Sequence, residues 1–152
     1  MTGVQTCALP ISEEKIDRTL FFVYNLYIIH KQNEIDKNMG LVIMDTPGND
    51  PSSVAGMAAG GCQICLFSTG RGTPTGNPIV PVIKITGNKV TYANMSDNID
   101  IDASPYIYGK KTLEELGDEL FTEIKQVADG KLTKAEALGY TEMAIARVCN
   151  YM

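Results

Sequence analysis

The sequence predicts an α/β fold: a three-layer, mostly parallel, Rossmann-like sheet with flanking helices. Three observations carry this. Two runs, residues 41–44 and 63–67, have the length and apolar character of buried strands. Between them lies a segment with its own helix start and stop signals, and a strand–helix–strand order closes as a right-handed parallel unit. The second strand then empties into a Gly-rich loop, residues 70–78, a connection of the kind that open α/β sheets place at their ligand-binding edge.

Taken in order, residues 2–11 match the in-frame translation of a sequencing adapter and are set aside as a non-native scar. The reading frame is then a metagenomic fragment cut at its 5′ end, with native chain expected upstream. Residues 12–39 form a separate helix or linker. Ser12-Glu13-Glu14 opens a helical spacing of Ile16, Leu20, Val23 and Tyr27, and 31–38 is polar. Residues 40–152 make the main domain.

Its first strand, 41–44, ends in Asp45-Thr46-Pro47-Gly48-Asn49. Asp50 and Pro51 read as N-cap and first helical position, and the helix runs through Val54, Met57 and Ala58 to a stop at Gly60-Gly61. Residues 79–85 give a third strand, in which Pro81 suggests an edge or a bulge. Asn88 caps a short helix through Tyr92 and Met95. Ile99-Asp100-Ile101-Asp102 alternates, so both carboxylates share one strand face; a solvated face is expected, with metal ligation as the alternative. Thr112 and Glu115 form a capping box ahead of the longest helix, with Leu113, Leu116, Leu120, Ile124 and Val127 as its core stripe and Gly130 as its stop. Thr133 and Glu136 repeat the box before Gly139. Residues 143–148 read as a last strand or an arm.

Composition excludes several functions. With 152 residues, 44% hydrophobic and 20% charged, the chain can bury a core. A net charge of −5 argues against a nucleic-acid groove or an anionic membrane surface. Residues 20–29 are too short to span a bilayer. Four cysteines without a secretory signal predict free thiols and a cytoplasmic protein. The single histidine, His30, excludes a Ser-His-Asp triad or multi-histidine zinc site within the chain and is expected at the surface. Residues 41–48 imitate a GTPase metal strand, but no phosphate-binding loop is present, and Thr91 stands where a guanine-reading Asp would be. Cys62 and Cys65 have redox spacing but enter a strand instead of opening a helix, so buried thiols are expected.

The candidate site is the loop that starts at Thr69. Gly70 and Gly72 let backbone amides turn toward a ligand, and Arg71 adds a donor fork for a carboxylate or phosphate. Thr69, Thr73, Thr75 and Asn77 supply neutral donors and acceptors suited to a hydroxylated substrate. An ordinary polar turn is the alternative. In a parallel unit, Asp45, Thr46, Asn49 and the helix start at Ser52 face the same crevice as Arg71.

Residues 40–50, 58–69, Gly70-Arg71-Gly72-Thr73-Pro74, 76–88 and Ile99-Asp100-Ile101-Asp102-Ala103 together resemble the C-terminal region of the altronate/galactarate dehydratase family, nearest to the altronate dehydratase large subunit. The resemblance implies a hydro-lyase acting on a sugar acid, with sulfolactate sulfo-lyase chemistry or a non-catalytic sugar-acid-binding domain as alternatives. It implies a divalent metal, iron or manganese, whose ligands lie outside this fragment. A missing N-terminal region or small subunit and a homo-oligomer are the implied partners. Arg71 and the Gly70–Gly72 amides are then expected to hold the carboxylate. Thr46, Asn49, Thr69, Thr73 and Asn77 contact the hydroxylated substrate, Asp45 contacts a metal or hydroxyl, and Lys84 acts as general base or charge stabiliser, with a plain charged residue at a strand end as the alternative.

Overall fold

The computed structural model describes residues 29–30, 43–44 and 49–144. These fall into two compact units: Leu66–Glu142, and a first unit that holds the remaining described residues.

In the first unit, β1 (Ile29–His30) pairs in parallel with β2 (Ile43–Met44). β1 lies within the stretch read from sequence as helix or linker; the helical spacing itself, from Ile16 to Tyr27, lies outside the described residues. Helix α1 (Asp50–Ala59) follows. Its cap is Asn49, one residue earlier than the sequence predicts, because the Asn49 side chain reaches the Ser52 amide at 3.4 Å. Gly60 ends the helix, and Gly61 takes the positive φ of 99°. Val54 and Met57 are buried along it, with Cys62 and Ile64 just beyond. Cys62 is disulfide-bonded and Cys65 is free, so the expectation of free thiols holds for Cys65 and is corrected for Cys62.

The second unit is a three-stranded parallel sheet in the order β3 (Cys65–Ser68), β4 (Val82–Thr86), β5 (Ile101–Asp102), with helices around it. β2 thus pairs with β1 and β3 pairs with β4, so the strand–helix–strand segment is shared by two sheets. Strand β4 is central, which corrects the edge position inferred from Pro81. The apolar run begins at Ile79, yet the strand begins at Val82. Asn77 Oδ1 accepts the amides of Ile79 (2.9 Å) and Val80 (3.2 Å), and Pro81 has no amide to give. None of those three residues can donate to a ladder.

Helix α2 (Lys89–Asn94) is capped by Asn88, as predicted. A single turn, α3 (Ser104–Ile107), follows β5. Both expected capping boxes are present, Thr112 with Glu115 on α4 (Leu113–Ala128) and Thr133 with Glu136 on α5 (Lys134–Ala137). The α4 stripe is only partly buried: Ile124 and Val127 are in the core, whereas Leu113 is 48% exposed. α5 is fastened at its start, where Lys134 N donates to Asp100 Oδ1 (2.9 Å) and its Nζ to the carbonyls of Ser96 (2.7 Å) and Ile99 (2.6 Å). Residues 143–144 are not in a strand, and 145–148 lie outside the described residues.

Candidate functional site

Because β3, β4 and β5 run in parallel, their carboxyl ends share one edge of the sheet, and the segments that leave them enclose an open groove of about 620 Å³. Ser68, Thr69 and Gly70 line it from the end of β3, and Gly87 and Asn88 from the end of β4. Ala103 contributes from β5, with Ile107 and Tyr108 at the far side. Crevices at this edge are where open α/β sheets hold ligands.

The loop that covers this edge is pinned by side chains. Thr86 Oγ1 donates to Thr69 O at 2.7 Å, and Gly70 O accepts from both Thr91 Oγ1 (2.8 Å) and Asn88 Nδ2 (3.2 Å). Thr69 Oγ1 takes the Gly72 amide at 3.0 Å. Gly72 is obligatory on two counts. Its φ is 87°, and a Cβ there would run into Met95 Sδ and press on Thr91 Cγ2. Gly70 has open space around it. Arg71, held between them, is exposed and makes no hydrogen bond or ion pair among the described residues, so its guanidinium fork is available.

Thr73 and Asn77 stand elsewhere. Both are buried and neither lines the groove. Thr73 Oγ1 bonds to Thr75 Oγ1 at 2.8 Å, and Asn77 uses its oxygen for the turn into β4 while its Nδ2 is buried without a partner. Gly76 passes beneath the chain at Tyr140, whose carbonyl a Cβ would strike, and its amide donates to Glu142 Oε2 at 3.3 Å.

Lys84 lies in the middle of β4 and is 0% exposed, not at a strand end. Its Nζ donates to the carbonyls of Pro74 (3.1 Å) and Thr75 (3.4 Å). Burial pushes this ammonium below its ordinary range, while the charges of Asp100 and Glu142 pull the other way.

Of the remaining sequence candidates, Asp45 and Thr46 lie outside the described residues. Asn49 belongs to the first unit, where it caps α1. Asp100 and Asp102 do not form a solvated carboxylate face. Asp100 accepts backbone amides of Lys84 and Lys134, and Asp102 Oδ1 accepts the Ser104 amide at 2.9 Å. Among the described residues no group of three or more His, Cys, Asp or Glu could hold a metal. Asp100 and Asp102 are thus already engaged by amides, and the described residues do not fit a metal site. Sequence reasoning missed Thr86, Thr91 and Tyr108, and it took Asn88 for a cap alone. No local pattern marks them, because their contacts to Thr69 and Gly70 or their place at the groove arise from the fold.

Residues 24–150 match the family described as D-galactarate/Altronate dehydratase, C-terminal. This chain belongs to that family. The match takes in part of the 12–39 stretch. Over 109 residues the chain is 40% identical to Altronate dehydratase of Escherichia coli (strain K12), covering 72% of this chain and 22% of that protein. It is 39% identical over 109 residues to (2R)-sulfolactate sulfo-lyase subunit beta of Chromohalobacter salexigens, covering 72% and 28%. Over 92 residues it is 39% identical to Galactarate dehydratase (L-threo-forming) of Escherichia coli (strain K12), covering 60% and 18%. The chain therefore spans only 18–28% of the length of these relatives. No helix among its described residues is long and apolar enough to cross a membrane.

Proposed function

We propose that this dehydratase-family chain is the C-terminal part of a cytoplasmic hydro-lyase of sugar-acid catabolism. D-altronate, converted to 2-keto-3-deoxy-D-gluconate, is the first substrate assigned, and galactarate the second. The observation that carries this reading is the exposed Arg71 fork, one residue beyond the groove-lining Gly70 on a pinned loop, in a family described by its dehydration of sugar acids. Dehydration removes the proton α to the carboxylate, expels the β-hydroxyl as water, and leaves an enol that tautomerises to the 2-keto acid. The developing aci-carboxylate needs cationic and amide donors. The Arg71 fork and the amides of Gly70 and Arg71 supply them, and the Thr69 hydroxyl reads a substrate hydroxyl; the Gly72 amide is held by Thr69 Oγ1, and Thr73 and Asn77 are buried away from the groove.

Among the described residues the groove lining includes no carboxylate, histidine or lysine. The proton acceptor and an iron or manganese ion are accordingly assigned to parts of the longer polypeptide or to a small subunit, within a homo-oligomer; one relative is itself named a subunit. Its similarity supports a second reading, elimination of sulfite from sulfolactate with formation of pyruvate.

The test is a lyase assay on the full-length parent protein with D-altronate, galactarate and sulfolactate, each with and without iron or manganese. Metal-dependent 2-keto-3-deoxy acid from one sugar acid is expected. Pyruvate with sulfite moves the protein to the second reading. No turnover of any of the three by folded, metal-loaded protein overturns both and leaves a sugar-acid-binding domain.

A further inference from the structure

The amine of Lys84 is buried beneath the loop that forms the candidate site, and its hydrogen bonds give it a different task from proton transfer. Lys84 and Thr86 are two residues apart on β4, so they project from the same face of the sheet. Thr86 holds the loop at Thr69 O (2.7 Å), and Lys84 holds it at Pro74 O (3.1 Å) and Thr75 O (3.4 Å). Between these two points lie Gly70, Arg71, Gly72 and Thr73. The far foot is closed from the other side by the bond from the Gly76 amide to Glu142 Oε2 (3.3 Å). A general base must come within hydrogen-bond reach of the proton it takes. Lys84 is 0% exposed, is not among the residues that line this groove, and has two backbone carbonyls as the acceptors of its amine.

We infer that Lys84 is a positioning residue: with Thr86 it clamps both feet of the 69–75 loop, and this clamp presents Arg71 to a substrate carboxylate. The inference rests on the sugar-acid reading above for the identity of the ligand, but the clamp itself does not depend on it.

The experiment has two arms that separate those claims. In the 152-residue chain, amide hydrogen exchange is followed at residues 70–76 in wild type, Lys84→Met and Thr86→Val. Loss of either clamp is expected to speed exchange there by about tenfold, the equivalent of one net hydrogen bond, with α4 unchanged. Unchanged exchange at 70–76 in a folded Lys84→Met chain overturns the clamp. Should that variant not fold, scalar couplings across the hydrogen bonds from ¹⁵Nζ of Lys84 to the carbonyl carbons of Pro74 and Thr75 in wild type decide: their presence supports the clamp and their absence overturns it. In the full-length parent, a positioning role raises KM for the sugar acid and leaves the pH profile of kcat in place. A base role instead lowers kcat and removes the acidic limb of that profile, which overturns the assignment. If wild type turns over no sugar acid, the ligand reading fails while the exchange result still stands.

Discussion

Lys84 and Asp100 are joined twice across the parallel β4–β5 pair. Asp100 N donates to Lys84 O at 3.0 Å, and Lys84 N donates to Asp100 Oδ2 at 2.7 Å. A carboxylate oxygen thus stands in for a ladder carbonyl, and its partner oxygen receives Lys134 N at 2.9 Å. One side chain therefore ties the central strand to the start of α5, beside a lysine whose amine faces the loop of the candidate site.

Asp100→Ala strips two backbone amides of their acceptor, one of them on the central strand. Leaving such donors without partners costs about 1–3 kcal/mol each when they are buried. A loss of about 2–4 kcal/mol in urea unfolding is expected, since Lys134 N can recover water. Asp100→Asn keeps an acceptor oxygen and should lose less. Equal losses for the two variants would show that the geometry of the acceptors does not matter.

The lysine itself gives the protein a pH dependence. Burial holds the folded-state value of Lys84 below 10.5, with Asp100 and Glu142 opposing. Between the lowered value and the ordinary one, the unfolded chain binds the extra proton, so stability rises with pH in that window. Below it both states are protonated and the term is flat. Urea midpoints measured at rising pH should therefore climb more steeply, or fall less steeply, in wild type than in Lys84→Met. Parallel profiles would mean that the folded state does not shift this amine.

Much of the second unit is legible from sequence because its signals are local. Thr112 with Glu115 and Thr133 with Glu136 satisfy helix amides three residues away, and such motifs read the same in any fold. The start of β4 was also written locally, but in side-chain chemistry instead of hydropathy. Asn77 takes the amides of Ile79 and Val80, so the apolar run and the strand differ by three residues. That shift is why Lys84 reads as a strand-end charge when it is a central, buried one. The grip of Thr86, Asn88 and Thr91 on residues 69–70 spans 17 to 21 positions and leaves no periodic trace. Leu113 was misassigned to the core because helical spacing fixes a face and not how far that face is covered.

The two glycines that flank Arg71 should respond differently to a methyl group. At Gly72 an alanine meets both the φ of 87° and the Met95 side chain, with Thr91 adjoining. A loss of about 1–3 kcal/mol is expected. Gly70→Ala enters open space and should stay within about 0.5 kcal/mol of wild type. Thermal melts of the pair check this. Similar melting temperatures for both variants would contradict the close approach at Gly72.

Arg71 is exposed and without a partner among the described residues, so its removal should leave folding intact. Arg71→Ala is expected to melt within about 0.5 kcal/mol of wild type. In the full-length parent the same change removes a charge-assisted fork from the substrate carboxylate, a contribution of about 1.5–3 kcal/mol. The specificity constant for the sugar acid should then fall by roughly ten- to hundredfold. Arg71→Lys should recover part of the loss, because it restores charge without the two-pronged geometry. An unchanged specificity constant in Arg71→Ala would remove Arg71 from the site.

Cys65 opens β3 at 0% exposure, and burial pushes its thiol up to about 12. The thiolate is the reactive form, so both access and ionisation protect this residue at neutral pH. Iodoacetamide should leave Cys65 unmodified in the folded chain and alkylate it in urea, as read by mass of the peptide that contains it. The rate of labelling under native conditions should follow the opening of β3, since the sulfur has no route to solvent while the strand is packed. Rapid native labelling of Cys65, at a rate insensitive to stabilising salt, would mean that the edge of the sheet at β3 opens far more readily than its burial implies.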